Sequence, residues 1–128
     1  MDGLFLGFIA RELDAALRGA RVEKVQQPEK DELHIAFRGG NGPKKLLLST
    51  SADRARVHLT EITKPQPQEP PMFCMLLRKL IGGAKVLCVR QVGGDRILEI
   101  VFACEDEFAQ PSERILSCEV MGRHSNII

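Results

Sequence analysis

The stretch from Arg21 to Thr60 alternates short apolar runs with turn-forming residues, and this alternation limits the possible folds more than any other feature. In Leu33–Arg38 the odd positions hold Leu, Ile and Phe, and the even positions hold His34, Ala36 and Arg38. A period of two predicts a half-buried antiparallel strand. Similar runs predict strands around 21–27, 44–49 and 56–60, and the GGNGP sequence at 39–43 predicts a hairpin turn between two of them.

The first residues have helical spacing instead. Asp2 can cap this helix, and Gly19 ends it. The apolar residues that recur every three or four positions are Leu4, Phe5, Phe8, Ile9, Leu13, Ala16 and Leu17. We therefore predict a helix that packs through these residues against the rest of the domain.

A second helix is predicted from Met72 to the glycine pair at 82–83. Arg78 and Lys79 fall in its last turn, where cations complement the helix dipole. The PQPQEPP sequence at 65–71 precedes this helix. Proline fits neither a helix interior nor a central strand, so this sequence predicts an exposed, extended loop.

Strand patterns return after the second helix. Residues 84–102 predict a hairpin that turns at Gly93 and Gly94, and residues 113–128 predict one or two further strands. Two helices with seven or eight strands indicate one α+β domain over residues 1–128. A chain of this length can bury a sufficient core without a metal or a disulfide, but its strand order does not follow from the sequence.

The cysteines favour a reduced, cytoplasmic protein. Cys74, Cys88, Cys104 and Cys118 form no CxxC pair, so the spacing of a structural zinc site is absent and buried free thiols are expected. The N-terminus carries an acid at position 2 and lacks the basic start of a signal peptide. No apolar run is long enough to cross a membrane, so no membrane partner is expected.

Motifs for catalysis or cofactor binding are not found. Nothing resembles a GxSxG nucleophile elbow or a glycine-rich phosphate-binding loop, and the GGNGPKK sequence is better explained as a hairpin turn. The three histidines are far apart in the sequence. We therefore predict no catalytic residue, no metal and no cofactor. A net charge of +1 means that any polyanion would have to bind a local patch.

Two polar clusters stand at predicted strand ends. Arg96 is in register with the apolar positions of its strand, and burial of its charge would require a partner such as Asp95 or a ligand phosphate. The second cluster contains Glu119, Arg123, His124, Ser125 and Asn126. From their spacing alone, both clusters are compatible with a structural hydrogen-bond network or a solvated turn.

Six segments carry a family resemblance. They are DGLFL at 2–6, QPEKDEL at 27–33, LLLS at 46–49, PPMFCMLLRK at 70–79, QVGGDRILEI at 91–100 and EVMGRHSNII at 119–128. Together, in this order and from end to end, they resemble the N-terminal domain of the NFACT family. The resemblance implies a fold similar to the N-terminal domain of formamidopyrimidine-DNA glycosylases, an antiparallel β-sandwich flanked by helices.

The resemblance also implies a role in ribosome-associated quality control. Members of the family bind the large ribosomal subunit obstructed by peptidyl-tRNA and recruit charged tRNA, which in bacteria is alanyl-tRNA for C-terminal alanine tails. Because the ribosome performs the peptide-bond chemistry, the implied role is a binding module and not an enzyme.

The family's signatures coincide with the two polar clusters. Its Asp-Arg motif, implicated in tRNA handling, matches Asp95 and Arg96, and its glycine-arginine-histidine-serine-asparagine segment matches Gly122–Asn126. In the family this domain precedes further modules of the same chain. Such downstream partners would account for Ile127 and Ile128, two apolar residues that need burial, at the end of this sequence.

The related glycosylases and the older family name suggest two alternative functions. The related glycosylases form a Schiff base through an N-terminal proline amine, but residue 2 is Asp and Pro28 lies too far inside the chain, so glycosylase activity is not expected. The older description of the family as fibronectin-binding suggests an adhesin. That role would require export and an oxidising environment, which the four cysteines do not favour. The adhesin remains the alternative.

Overall fold

The computed structural model describes residues 3–40, 42–49, 56–61, 69–92, 97–105, 108–121 and 124–127. Within these ranges the chain forms two helices and eight strands. In chain order they are α1 (Gly3–Leu17), β1 (Arg21–Glu29), β2 (Glu32–Arg38), β3 (Lys44–Ser49), β4 (Arg56–Leu59), α2 (Met72–Ile81), β5 (Lys85–Gln91), β6 (Ile97–Glu105), β7 (Pro111–Met121) and β8 (His124–Ile127). The α+β class predicted from the sequence is confirmed.

Helix α1 packs through one stripe of its surface. The buried residues of this stripe are Ala10, Leu13 and Leu17, with Ile9 and Ala16 partly buried beside them. Phe8 is 55% exposed, so its predicted place on the packed face is wrong. At 3.6 residues per turn, position 8 lies on the opposite side of the helix from Leu13. Gly19, just past the helix end, has a φ of 85°, a value that favours glycine.

Helix α2 begins after Pro71, which has an extended backbone, and buries Cys74, Leu77 and Ile81. Its predicted start and its basic last turn are confirmed. The Arg78 Nε–H donates a hydrogen bond to the Val25 carbonyl at 2.8 Å, which attaches the end of the helix to β1. The predicted proline-rich loop lies mostly outside the described residues.

The strands form one antiparallel sheet in the order β4-β3-β2-β1-β5-β6-β7-β8. Strands β1 to β4 pair as successive neighbours, and so do β5 to β8. Between these two halves, β1 and β5 share one registered pair, Arg21 with Lys85. The backbone hydrogen bonds at this junction run from Gly19 to Val86, Val22 to Ala84, Gly83 to Val22 and Val86 to Ala20, at 2.8–3.0 Å.

Both halves of the sheet contribute to one core. The same cluster of buried side chains contains Phe37 from β2 and Phe102 from β6. The halves therefore direct apolar faces toward a common interior, as a β-sandwich does, although hydrogen bonds join the eight described strands into one sheet. The similarity to the glycosylase domain stays a prediction.

The hairpin predicted at GGNGP is confirmed for its described residues. Phe37 pairs with Lys44 across it, and the Gly42 N–H donates to the Gly39 carbonyl at 3.1 Å. Asn41 lies outside the described residues.

The prediction that β2 is half-buried is wrong. Leu33, Ile35 and Phe37 lie in the core as expected, but His34 on the other face is only 1% exposed. Its Nε2 lies 2.8 Å from Oε2 of Glu32, which is also buried. A short strand pattern gives the inner face of a strand but does not reveal what covers the outer one.

None of the four cysteines, all of which are described, forms a disulfide; Cys74 and Cys118 are buried and the other two are half-buried. Burial raises the pKa of the Cys104 thiol, although Arg114 opposes this shift. We therefore expect the native domain to react slowly with a thiol reagent at Cys74, Cys104 and Cys118, and the denatured domain to expose all four thiols. A thiol count with and without denaturant measures this. Fewer than four thiols in denaturant without reductant would contradict it.

Among the described residues, neither helix combines the length and the apolar character that crossing a bilayer requires.

Candidate nucleic-acid interface

The described strand residues that adjoin or belong to the two predicted polar clusters lie at one end of the second half of the sheet. Ile97, the first residue of β6, pairs with Glu119 in β7, and Glu119 pairs in turn with Asn126 in β8. Since neighbouring strands lie about 4.8 Å apart, these three backbone positions form a short row. Arg96 directly precedes this row in the sequence.

Some of the predicted residues lie beyond what is described. Asp95, Arg96 and Arg123 are outside the described residues, and β6 begins one residue after Arg96. The backbone of His124 and Ser125 belongs to β8. It pairs there with the backbone of Met121 and Val120.

The connection that carries Asp95 and Arg96 has firmly paired ends. Gln91 pairs with Leu98, and the Val92 N–H donates a hydrogen bond to the Ile97 carbonyl at 3.1 Å. Residues 93–96 therefore link two positions that the β5–β6 pairing holds together. The predicted turn at Gly93 and Gly94 falls within this link and outside the described residues.

Helix α1 supports β5 and runs antiparallel to it. The Val89 N–H donates to Asp14 Oδ1 at 2.8 Å, and the Gly19 N–H donates to the Val86 carbonyl near the beginning of β5. At the other end of the helix, a Cβ on Gly7 would lie 2.7 Å from Gln91 Oε1. The early part of α1 thus lies against the end of β5 that leads to Asp95 and Arg96.

Asp14 has a second role on this helix. Its Oδ2 accepts a hydrogen bond from Arg18 Nη2 at 2.8 Å, and this bond raises the pKa of Arg18 above its ordinary value. One carboxylate therefore joins α1 to the backbone of β5 and to its own last turn. Asp14 does not stand out in the sequence, because a surface carboxylate four residues before an arginine usually forms only a helix pair.

A cluster of buried polar side chains was also not predicted from the sequence. Glu32 and His34 pair with each other, and Gln27 donates from Nε2 to the Lys30 carbonyl at 3.0 Å. Gln27 Oε1 and His34 Nδ1 are buried without a hydrogen-bond partner among the described residues. No group of three or more His, Cys, Asp or Glu side chains in the described part of the chain has an arrangement that would hold a metal.

The fold and the row of strand ends define an α+β domain of sequential antiparallel hairpins with polar residues collected at one end. The family description "NFACT N-terminal and middle domains" matches residues 2–128. The chain belongs to the NFACT family, as its sequence motifs predicted.

Relatives named for ribosome quality control match this chain. It is 43% identical over 129 residues to the Rqc2 homolog RqcH of Bacillus subtilis, a match that covers 99% of this chain and 22% of that protein. It is 29% identical over 98 residues to the human ribosome quality control complex subunit NEMF, covering 77% of this chain and 9% of NEMF. The chain therefore spans about a fifth of the RqcH protein.

Solved structures of relatives share the fold. The N-terminal part of the fibronectin/fibrinogen-binding protein from Streptococcus suis superposes with a TM-score of 0.94 at 40% identity, over 100% of this chain and 48% of that one. The N-terminal domain of fibronectin-binding protein PavA from Streptococcus pneumoniae gives 0.93 at 38% identity, over 99% and 48%. The names of the relatives therefore point to two different functions.

Proposed function

We propose that this domain is a tRNA-binding module of a ribosome-associated quality control factor. In this role it acts in the cytoplasm on the large ribosomal subunit that carries peptidyl-tRNA, and it helps to recruit alanyl-tRNA for C-terminal alanine tailing. The observation that carries the proposal is the 43% identity to an RqcH protein over 99% of the chain.

The strand pairing supports a binding site at one end of the sheet. Ile97, the Glu119 position and the β8 residues His124 to Asn126 occupy neighbouring strands there, and Arg96 directly precedes Ile97 in the sequence. Carboxylate, hydroxyl and amide groups collected at one place can recognise ribose hydroxyls and base edges. The proposal assigns a binding role to this end and leaves the chemistry of peptide-bond formation to the ribosome.

Within this site Arg96 contacts tRNA, either at a phosphate or by stacking on a base. A guanidinium offers several N–H donors in a planar fork and a flat surface, which suits both contacts. Asp95 orients Arg96 or accepts a hydrogen bond from a base edge or a ribose hydroxyl. The second cluster, Glu119 with Arg123 to Asn126, contributes further RNA contacts or holds the strand ends in place.

The substitution Arg96→Ala tests this assignment. We expect it to weaken tRNA binding by about tenfold or more, because a hydrogen bond from a charged group contributes roughly 1.5–3 kcal/mol. Arg96→Lys should restore little of the loss, since a point charge does not replace the planar fork. Fluorescence anisotropy with labelled tRNA measures binding, and thermal unfolding of the same samples measures stability.

Arg11→Ala is the matched control. Arg11 is exposed on α1, so this substitution removes the same charge at a different place on the surface. The control should leave tRNA binding within about twofold of the parent. Two results would defeat the assignment. One is unchanged tRNA binding by folded Arg96→Ala, and the other is a fall in melting temperature large enough to account for the lost binding.

A second candidate function is fibronectin binding, which the names of the two solved Streptococcus structures favour. Surface plasmon resonance with immobilised fibronectin tests it on the same preparation. Saturable binding that survives Arg96→Ala, together with absence of tRNA binding, would favour the adhesin over the ribosomal role.

A further inference from the structure

Three neighbouring strands place cations side by side at the junction of the two halves of the sheet. Arg21 in β1 pairs with Arg38 in β2 on one side and with Lys85 in β5 on the other. Side chains of directly paired residues lie on the same face, and all three residues are exposed. We call these three residues the basic row. Like charges in directly opposed pairs destabilise a sheet, so the row is an unfavourable arrangement unless an anion neutralises it.

Two of the three residues of the basic row border a cleft of about 540 Å³. Arg21 and Lys85 line it together with Lys79 from the last turn of α2 and Arg114 from β7. Glu105 is the acidic residue among the described residues that line this cleft. Cations thus outnumber acids there although the whole chain has a net charge of only +1.

Part of this positive charge has a structural role. Arg21 Nη1 donates to the Gly83 carbonyl at 3.2 Å, and Arg114 Nη1 donates to the Leu80 carbonyl. These carbonyls lie at the C-terminal end of α2, where the helix dipole favours cations. The helix end accounts for Arg21 and Arg114, whereas among the described residues Lys85 and Arg38 make no such hydrogen bond to a carbonyl of this helix end.

We propose that the basic row and its cleft bind the phosphate backbone of RNA. Guanidinium and ammonium groups donate strong hydrogen bonds to phosphate oxygens, and arginines already fixed by backbone carbonyls lose little freedom on binding. The described residues that line the cleft include no aromatic ring, so stacking on bases is not part of this contact. The contact is therefore independent of the base sequence of the RNA. The choice of RNA as the polyanion rests on the function proposed above.

This surface is separate from the site at Asp95 and Arg96. Strand β6 has nine residues, with Ile97 next to that site and Glu105 at the cleft. At roughly 3.3 Å per residue the two ends lie about 26 Å apart. The sequence continues from Glu105 with Asp106 and Glu107, so the proposal puts the phosphates on the β2–β1–β5 side of the cleft.

The test uses a single-stranded RNA of about twenty nucleotides as well as tRNA, titrated with the chain at about 50 to 300 mM KCl. The variant Lys79→Glu/Lys85→Glu reverses two cleft cations that donate no hydrogen bond to a backbone carbonyl among the described residues, although Lys79 lies in the last turn of α2. We expect the parent to bind the oligonucleotide with a dissociation constant on the order of 10⁻⁵ M and the variant to bind at least about tenfold more weakly. The slope of log affinity against log salt should fall by about 1.4 for two lost phosphate contacts.

The control is Arg11→Glu/Lys30→Glu, which makes the same change in net charge at exposed positions on α1 and the β1–β2 turn. It should change binding by less than about threefold. Thermal unfolding confirms that both variants are folded. Failure of the parent to bind the oligonucleotide, an equal loss in the control, or an unchanged salt slope overturns the proposal.

Arg96→Ala separates this inference from the proposed function. It should weaken tRNA binding and leave oligonucleotide binding unchanged, whereas the lysine variant should weaken both. If only the Arg96 effect is found, the basic row is not an RNA contact and the tRNA site stands. If only the lysine effect is found, the basic row stands and the tRNA assignment fails.

Discussion

Replacing Glu32 with alanine is expected to lower the free energy of unfolding by about 3 kcal/mol, because it removes one partner of a buried pair. His34 is 1% exposed and its Nε2 lies 2.8 Å from the Glu32 carboxylate. Its Nδ1 already has no hydrogen-bond partner among the described residues. Loss of the carboxylate would leave both ring nitrogens buried and unpaired, which water cannot compensate at such a site. Urea denaturation of the variant and the parent measures the difference.

A double variant shows whether the lost pairing is the cause. Glu32→Leu with His34→Leu replaces both polar groups by apolar side chains and should recover more than half of the loss. A single Glu32→Ala variant that is destabilised by less than about 1 kcal/mol would mean that water reaches the pair.

The second large loss of stability is expected for a substitution in the core. Phe102 in β6 is fully buried and pairs in register with Val86 and Arg114. Its replacement by alanine leaves a cavity and should lower the free energy of unfolding by about 3–5 kcal/mol. A domain of this kind is stabilised by only about 5–15 kcal/mol, so the variant should lose a large part of its stability and unfold at a clearly lower temperature.

Phe108→Ala is the matched control, since the same side chain is 75% exposed there. It should cost less than about 1 kcal/mol. Similar melting temperatures for the two variants would contradict the placement of Phe102 in the core, and so would a larger loss for Phe108→Ala.

Local patterns predicted the helices and strands well where the residues that end an element agreed with the spacing of its apolar residues. Helix α2 is bounded by Pro71 and the glycine pair at 82–83, residues whose backbone preferences end a helix regardless of tertiary structure. The strand pattern at 44–49 matches β3 without change. The prediction was less accurate for helix α1. Phe8 was assigned to its packed face because its spacing is helical, but on a helical wheel Phe8 lies away from Leu13.

Contacts between distant segments were not predictable. Nothing in the sequence near Arg21 or Lys85 indicates that they pair, because strand order depends on packing of the whole domain. The burial of His34 and Glu32 has the same cause. The basic row was missed for this reason too, since its members are more than fifteen residues apart in the sequence and become neighbours only through pairing.

The residues of the candidate site remain predictions from the sequence. Family motifs identified Asp95 with Arg96 and the segment from Gly122 to Asn126, while spacing alone left both open to a structural explanation. The register from Ile97 through Glu119 to Asn126 adds what spacing could not, because it pairs β6, the strand that follows Arg96 in the sequence, with β7, and β7 with β8. Whether Arg96 contacts tRNA stays a prediction.

The junction between β1 and β5 has a consequence for how the chain folds. Each half of the sheet consists of hairpins between sequence neighbours, which form through local encounters at little cost in chain entropy. The junction instead joins residues 19–22 to residues 83–86, so the loop between them must close before those backbone bonds form. Cooperative folding of the two halves therefore depends on this closure. The amide hydrogens of Val22 and Val86 should exchange with solvent only when the whole domain opens, whereas those at the outer hairpins exchange through local opening.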